Sequence, residues 1–187
     1  MNKLNNMLNK LSDISVPPSW GKVENEYLLK LEFLVKEPLP NDFKSLLENI
    51  GGYKMIPPES LDCSYVIKLP KTKGGRVSLP LSHSVSVSAM IDACDDWEDS
   101  LPDKSILIEY SGDGSPIFMS MLPGATGEIY FMERDHYLDS DEFDDYECEE
   151  GACEAFDPKN GVVPNIFSKL ADSFYDFIMA IELEEAE

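Results

Sequence analysis

Between Ser105 and Met132 the sequence reads SILIEYSGDGSPIFMSMLPGATGEIYFM, and this stretch limits the fold more than any other. SILIEY, PIFMSM and EIYFM are short runs rich in isoleucine, phenylalanine and tyrosine, which suit strands, while SGDGS and LPGATG carry the glycine and proline of turns. Three strands so closely spaced in sequence predict an antiparallel meander. A meander buries one face only against another layer, so the remaining segments are read for what could cover it.

Helices are predicted first. Leu4, Met7, Leu8 and Leu11 recur at helical spacing over residues 1–14, and Pro17 with Pro18 closes that segment. Tyr27, Leu28, Leu31 and Val35 form an apolar stripe over residues 23–35, with Glu24, Lys30 and Glu32 expected to face water and Pro38 and Pro40 as the stop. In LPNDFKSLLENIGGY, Phe43, Leu46, Leu47 and Ile50 fall at i, i+3, i+4 and i+7, Asp42 suits the first turn, and Gly51 with Gly52 offers a left-handed end.

CSYVIKL (63–69) and RVSLPL (76–81) then read as strands. SVSVSAM alternates like a strand but leads equally well into a helix around residues 90–97. A long closing helix is predicted from Leu170, Phe174, Phe177, Ile178 and Ile181, with Ser168 as its cap and ELEEAE fraying.

The class that follows is α+β, one domain with an antiparallel-rich sheet packed by N-terminal helices and a C-terminal helix. Residues 1–18 are expected as an amphipathic helix and linker, 19–183 as the main domain and 184–187 as a frayed acidic tail. A length of 187 residues with 43% hydrophobic side chains suffices for one sizeable core.

Charge excludes several partners. Thirty-six acidic residues against fifteen basic ones give −21, which repels phosphate backbones and anionic lipid, so neither nucleic acid nor membrane is an expected partner. No apolar run approaches the roughly 18 residues of a membrane span, and MNKLNNMLNKLS does not read as a signal sequence, so a cytoplasmic protein is expected. In that reducing setting Cys63, Cys94, Cys148 and Cys153 are expected mostly as thiols.

The acid is concentrated in YLDSDEFDDYECEEGACE, residues 137–154, with nine carboxylates in eighteen residues and no lysine or arginine. An EF-hand does not fit, because counting from Asp139 puts Phe143 fifth and Asp144 where glycine is needed. Zinc on Cys148, Cys153 and His136 lacks a second close pair of ligands. Two cysteines with four residues between them are also able to oxidise to each other. A merely solvated loop would gain nothing from Tyr137, Phe143 and Tyr146 among the acids, whereas aromatic anchors ringed by charge are what protein interfaces use. The favoured reading is a partner-binding surface, with Asp139, Asp141, Glu142, Asp144, Asp145 and Glu147 supplying charge and Phe143 and Tyr146 anchoring.

Elsewhere, Trp20 and Trp97 read as packing residues, His83 has no partner at a telling distance, and the SGDGS glycines are explained by a hairpin turn. No nucleophile elbow, phosphate loop, dinucleotide fingerprint or His-Glu-x-x-His pair occurs, so neither catalysis nor a cofactor is expected.

Three pieces of the chain together resemble the SUKH superfamily, the fold family of bacterial immunity proteins that also includes the yeast Smi/Knr cell-wall regulators. LEFLVKEPLPNDFKSLLENIGG is similar to its leading helix, Leu-Pro junction, second helix and glycine turn, with Ile50 inserted between Asn49 and Gly51. LPDKSILIEYSGDGSPIFMSMLPGATGEIYFM resembles its strand, Gly-Asp-Gly turn and following strands, and KLADSFYDFI its Ala-x-Ser-Phe-x-x-Phe helix. The N-terminal helix, residues 53–98 and the acidic insert depart from the pattern. What the resemblance implies is a non-catalytic binding protein, typically one that neutralises a bacterial toxin, frequently a nuclease, by tight binding. The alternative is an intracellular adaptor or regulator like the yeast relatives.

Overall fold

The computed structural model describes residues 2–16, 18–19, 21–56, 63–73, 76–96, 101–112, 114–133 and 151–185. Among them are α1 (Lys3–Ile14), β1 (Ser15–Val16), α2 (Asn25–Val35), α3 (Asn41–Ile50), β2 (Lys54–Met55), β3 (Cys63–Lys73), β4 (Arg76–Ser84) and α4 (Val87–Asp96). Then follow β5 (Ser105–Ser111), β6 (Pro116–Ser120), β7 (Ile129–Met132), β8 (Phe167–Ala171), α5 (Phe174–Met179) and β9 (Glu182–Glu185). The protein is α+β.

The three predicted strands form the meander, with antiparallel pairs Leu107↔Phe118 and Phe118↔Tyr130. They sit inside one large sheet ordered β1-β2-β4-β5-β6-β7-β8, and β3 adds to β4 and carries β9 on its other edge. Every described pairing is antiparallel. β6 and β7 are buried at every position, so the meander is covered on both faces rather than one.

Helices α1 and α3 pack together and against α5, α2 packs on α4, and α4 on β5. Met7 and Leu11 of α1 therefore belong to the same core as Phe43, Leu46 and Leu47 of α3. The Phe43 and Phe174 rings meet edge-on at 4.8 Å. Asp42 does more than suit a helix dipole: its carboxylate accepts the N–H of Phe43 and, across the fold, the N–H of Tyr175, both at 2.9 Å. The α3 stop is as expected, Gly51 taking φ +77° at a place where a Cβ would strike the Gly21 carbonyl.

Two expectations are corrected. Glu32 does not simply face water but accepts the Leu39 N–H at 3.1 Å and the Lys44 ammonium at 3.0 Å, clamping the α2–α3 junction. Burial alone would raise its carboxyl pKa, but Lys44 and the Leu39 amide bring it below the ordinary value. Of the two readings open for SVSVSAM the helix holds, α4 beginning at Val87.

The long closing helix is instead three short elements. β8 covers Leu170, α5 is only six residues long, and β9 pairs with β3 through Glu184 and Glu185, where fraying was expected. Ser173, not Ser168, caps α5, its Oγ accepting the Asp176 N–H at 3.1 Å. The apolar spacing at Phe174, Phe177 and Ile178 was real, but Leu170 faces its environment from a strand paired to β7, which pays its backbone hydrogen bonds better than an isolated extra turn.

Candidate functional site

Asp139, Asp141, Glu142, Phe143, Asp144, Asp145, Tyr146 and Glu147 all lie outside the described residues, as do Tyr137, His136, Cys148, Trp20, Trp97 and the side chain of His83. The described residues on either side of them are anchored. After β7, Glu133 is buried and its N–H donates to the Ile166 carbonyl at 2.9 Å. At Gly151 a φ of +79° opens a tight turn closed by the Ala155 N–H on the Gly151 carbonyl at 3.1 Å.

The return is fixed by an aromatic peg. Phe156 is buried edge-on against Tyr130, Phe167 and Phe118, with ring centroids at 4.9, 5.0 and 5.7 Å. Those three rings belong to β7, β8 and β6, so the peg ties the segment to the β8 end of the sheet. Each such aromatic pair contributes about 0.5–1.5 kcal/mol beyond the area it buries. Immediately after it, Asp157 accepts from the Asn160 side-chain amide at 2.6 Å and exchanges backbone bonds with Val162 at 2.8 and 2.9 Å, rigidifying the turn that follows.

Around this return lies a cleft of about 500 Å³ lined by Leu101, Asp103, Leu122, Pro123, Cys153, Glu154, Phe156, Asp157, Lys159 and Asn160. Leu101 and Asp103 precede β5, Leu122 and Pro123 follow β6, and the others close or follow the acidic stretch, so the cleft is assembled from three segments distant in sequence. Its floor is apolar, with Leu101 and Phe156 buried. Its walls are charged. Asp103 and Glu154 make no hydrogen bond or ion pair among the described residues, in contrast to Lys44, Lys68, Lys104 and Lys169, each of which holds a carboxylate of this chain.

Cys153, in the cleft wall, is disulfide-bonded, while Cys63 and Cys94 are free. That differs from the mostly reduced state expected for a reducing compartment, and a sulfur so bonded offers no thiolate to zinc. Among the described residues no His, Cys, Asp and Glu cluster could hold a metal. No described helix is long and apolar enough to cross a membrane.

The turn after β5 is hairpin closure, with the Ser111 N–H and Oγ both donating to the Ser115 carbonyl at 2.9 and 3.1 Å. One buried polar pair lies elsewhere. On β5 the residue Ile108 is left unpaired between Leu107↔Phe118 and Glu109↔Ile117, a bulge, and the fully buried Glu109 accepts the Tyr53 hydroxyl. Both residues are buried, Glu109 completely, so the pair is internal architecture.

Sequence reasoning reached Glu154 as the last acid of the stretch but missed Leu101 and Asp103. LPDK was read only as the approach to a strand. No spacing rule links it to residues fifty positions later; β5–β6 pairing sets it beside Leu122 and Pro123, and the packing of Phe156 on β6, β7 and β8 brings the third segment alongside. Comparison with protein-family models gives no match to this chain, and neither does a search of curated proteins.

Proposed function

We propose that this protein is a SUKH-type immunity protein that binds and neutralises a bacterial toxin, a nuclease, through its acidic surface in the cytoplasm. The observation that carries the reading is an acidic sequence whose described flanks, Glu133 and Phe156, are tied to the sheet, on a chain with a net charge of −21. A nuclease must present a basic cleft to its phosphate substrate. A negative patch set against that cleft excludes nucleic acid and speeds encounter by about 10- to 1,000-fold at low salt. Affinity then depends on slow dissociation through a few desolvated anchors.

The order of elements is consistent with the resemblance: α2, the Leu-Pro junction, α3 with its glycine stop, the β5–β6–β7 meander and the Ser173-capped helix occur in the sequence that a SUKH fold implies. No catalytic step is part of this reading. The protein works by occupying its partner.

Reversing Asp139, Asp141, Glu142 and Asp144 to lysine tests it. Affinity for the toxin domain should fall and its salt dependence flatten; unchanged values for both would remove the acidic stretch from recognition. A second reading, an adaptor of the Smi/Knr type, is favoured by Phe33 and Leu29, exposed one turn apart on α2, Phe33 at 79%. Growth rescue separates the two. An immunity protein restores growth to cells expressing the basic toxin domain encoded beside it, and an adaptor does not.

A further inference from the structure

We propose that the cleft walled by Asp103 and Glu154 and floored by Leu101, Leu122 and Phe156 receives one arginine side chain of a basic protein partner. The proposal takes from the neutralisation reading only the kind of partner; the cleft's preference for arginine stands on its own chemistry.

Two carboxylates without partners among the described residues line a cleft with a buried apolar floor, and that pairing selects the ligand. A ligand filling the site has to give up water while carrying positive charge. A lysine ammonium is a compact, strongly hydrated point charge and does this badly. Guanidinium is planar and weakly hydrated, lies flat on apolar and aromatic surface, and presents a fork of N–H donors that carboxylates accept two at a time. The volume, about 500 Å³, is ample for such a side chain with its flanking backbone at the mouth.

The rest of the lining fits the same ligand. Asp157 already accepts from Asn160, so it adds fixed charge to the wall rather than a fresh acceptor. Lys159 is the one cation among the described lining residues, and against Asp103, Glu154 and Asp157 it leaves them net negative, three charges against one. Its stem lies along Gly124, where a Cβ would come within 3.0 Å of it, so this wall is built on a glycine. Continuity supplies the occupant. Glu154 is the last carboxylate of the acidic stretch and also a wall of the cleft, so a basic surface drawn to the stretch is led to this opening.

The test uses the intact, uniformly ¹⁵N-labelled protein, titrated at low salt with acetyl-Gly-Arg-Gly-amide, the matching lysine peptide and inorganic phosphate. Saturable amide shifts at Leu101–Lys104 and Glu154–Asn160 are expected with the arginine peptide, weaker ones with lysine, and none with phosphate. D103N/E154Q, checked for a native amide spectrum, should weaken arginine binding by about tenfold or more. Equal binding of the two peptides, saturation by phosphate, or an unaffected double variant would each overturn the proposal. If arginine binds as described but co-expression fails to protect cells from the toxin domain, the cleft stands and the neutralisation reading falls. If protection holds while the arginine peptide leaves the cleft unshifted, the reverse follows.

Discussion

Glu109 and Glu154 are both carboxylates beside the same meander, and the fold treats them in opposite ways. Glu109 is wholly buried, turned inward at a bulge in β5 and supplied with the Tyr53 hydroxyl; Tyr53 is in turn held by Ser84, whose Oγ accepts its N–H at 2.9 Å and donates to its carbonyl at 3.1 Å. Glu154 is exposed, and among the described residues nothing pairs with it or with Asp103 across the cleft. A buried acid must be satisfied from within or the chain does not fold. An acid left unsatisfied at a shaped opening costs the fold nothing in water and remains available to a partner. The interior pair is architecture, the rim is recognition, and substitutions should separate stability from binding along that line.

Phe156 belongs to both regions and should give the largest effect. Phe156→Ala removes the ring that meets Tyr130, Phe167 and Phe118 and takes away the cleft floor, so unfolding free energy measured in denaturant should drop by about 3–5 kcal/mol, with cleft binding lost as well. A loss below 1 kcal/mol would mean that the return of the acidic stretch is not pegged to the sheet.

Next is Tyr53→Phe, which leaves Glu109 without its hydroxyl donor and should cost about 1–3 kcal/mol with no change in arginine binding. Burial, and then the neighbouring Glu109 charge and hydrogen bond, hold the Tyr53 hydroxyl pKa well above 10; burial and the Glu128 hydrogen bond do the same for Tyr130. The sign follows from the protons. Above about pH 10 the unfolded chain releases tyrosine protons that the folded one keeps, so stability is complete below that pH and falls as pH rises past it. In Tyr53→Phe this alkaline fall should be shallower, which a series of denaturant midpoints from pH 9 to 11, about one unit either side of the free tyrosine pKa, would show.

The contrast also explains what could be read without coordinates. Phe43, Leu46 and Leu47 announce α3 because helical spacing is local, and SILIEY and PIFMSM announce strands for the same reason. At the C-terminus the spacing of Phe174, Phe177 and Ile178 was correctly apolar but the element was cut short, since pairing of β8 with β7 and of β9 with β3 is a long-range decision that a local pattern does not encode. Glu109 was hidden in the strand SILIEY because the bulge that turns it inward depends on its partner strand. Asp103 was hidden likewise, its role existing only once β5 and β6 are aligned. Glu154 alone was visible, through charge density.

The smallest effect is the most discriminating. In D103N/E154Q both residues keep their shape and lose their charge, and neither gives up an interaction within the described fold. Exposed substitutions of that kind change stability by no more than about 0.5 kcal/mol. Removing two negative charges from a chain at −21 relieves self-repulsion, so any change should be slightly stabilising and should fade with added salt. If denaturation shows the variant weakened by more than about 1 kcal/mol, a size that surface positions rarely reach, the two carboxylates are holding the fold after all. The cleft would then belong with Glu109 as architecture, and the division between interior and rim would fail at the one place where it assigns a function.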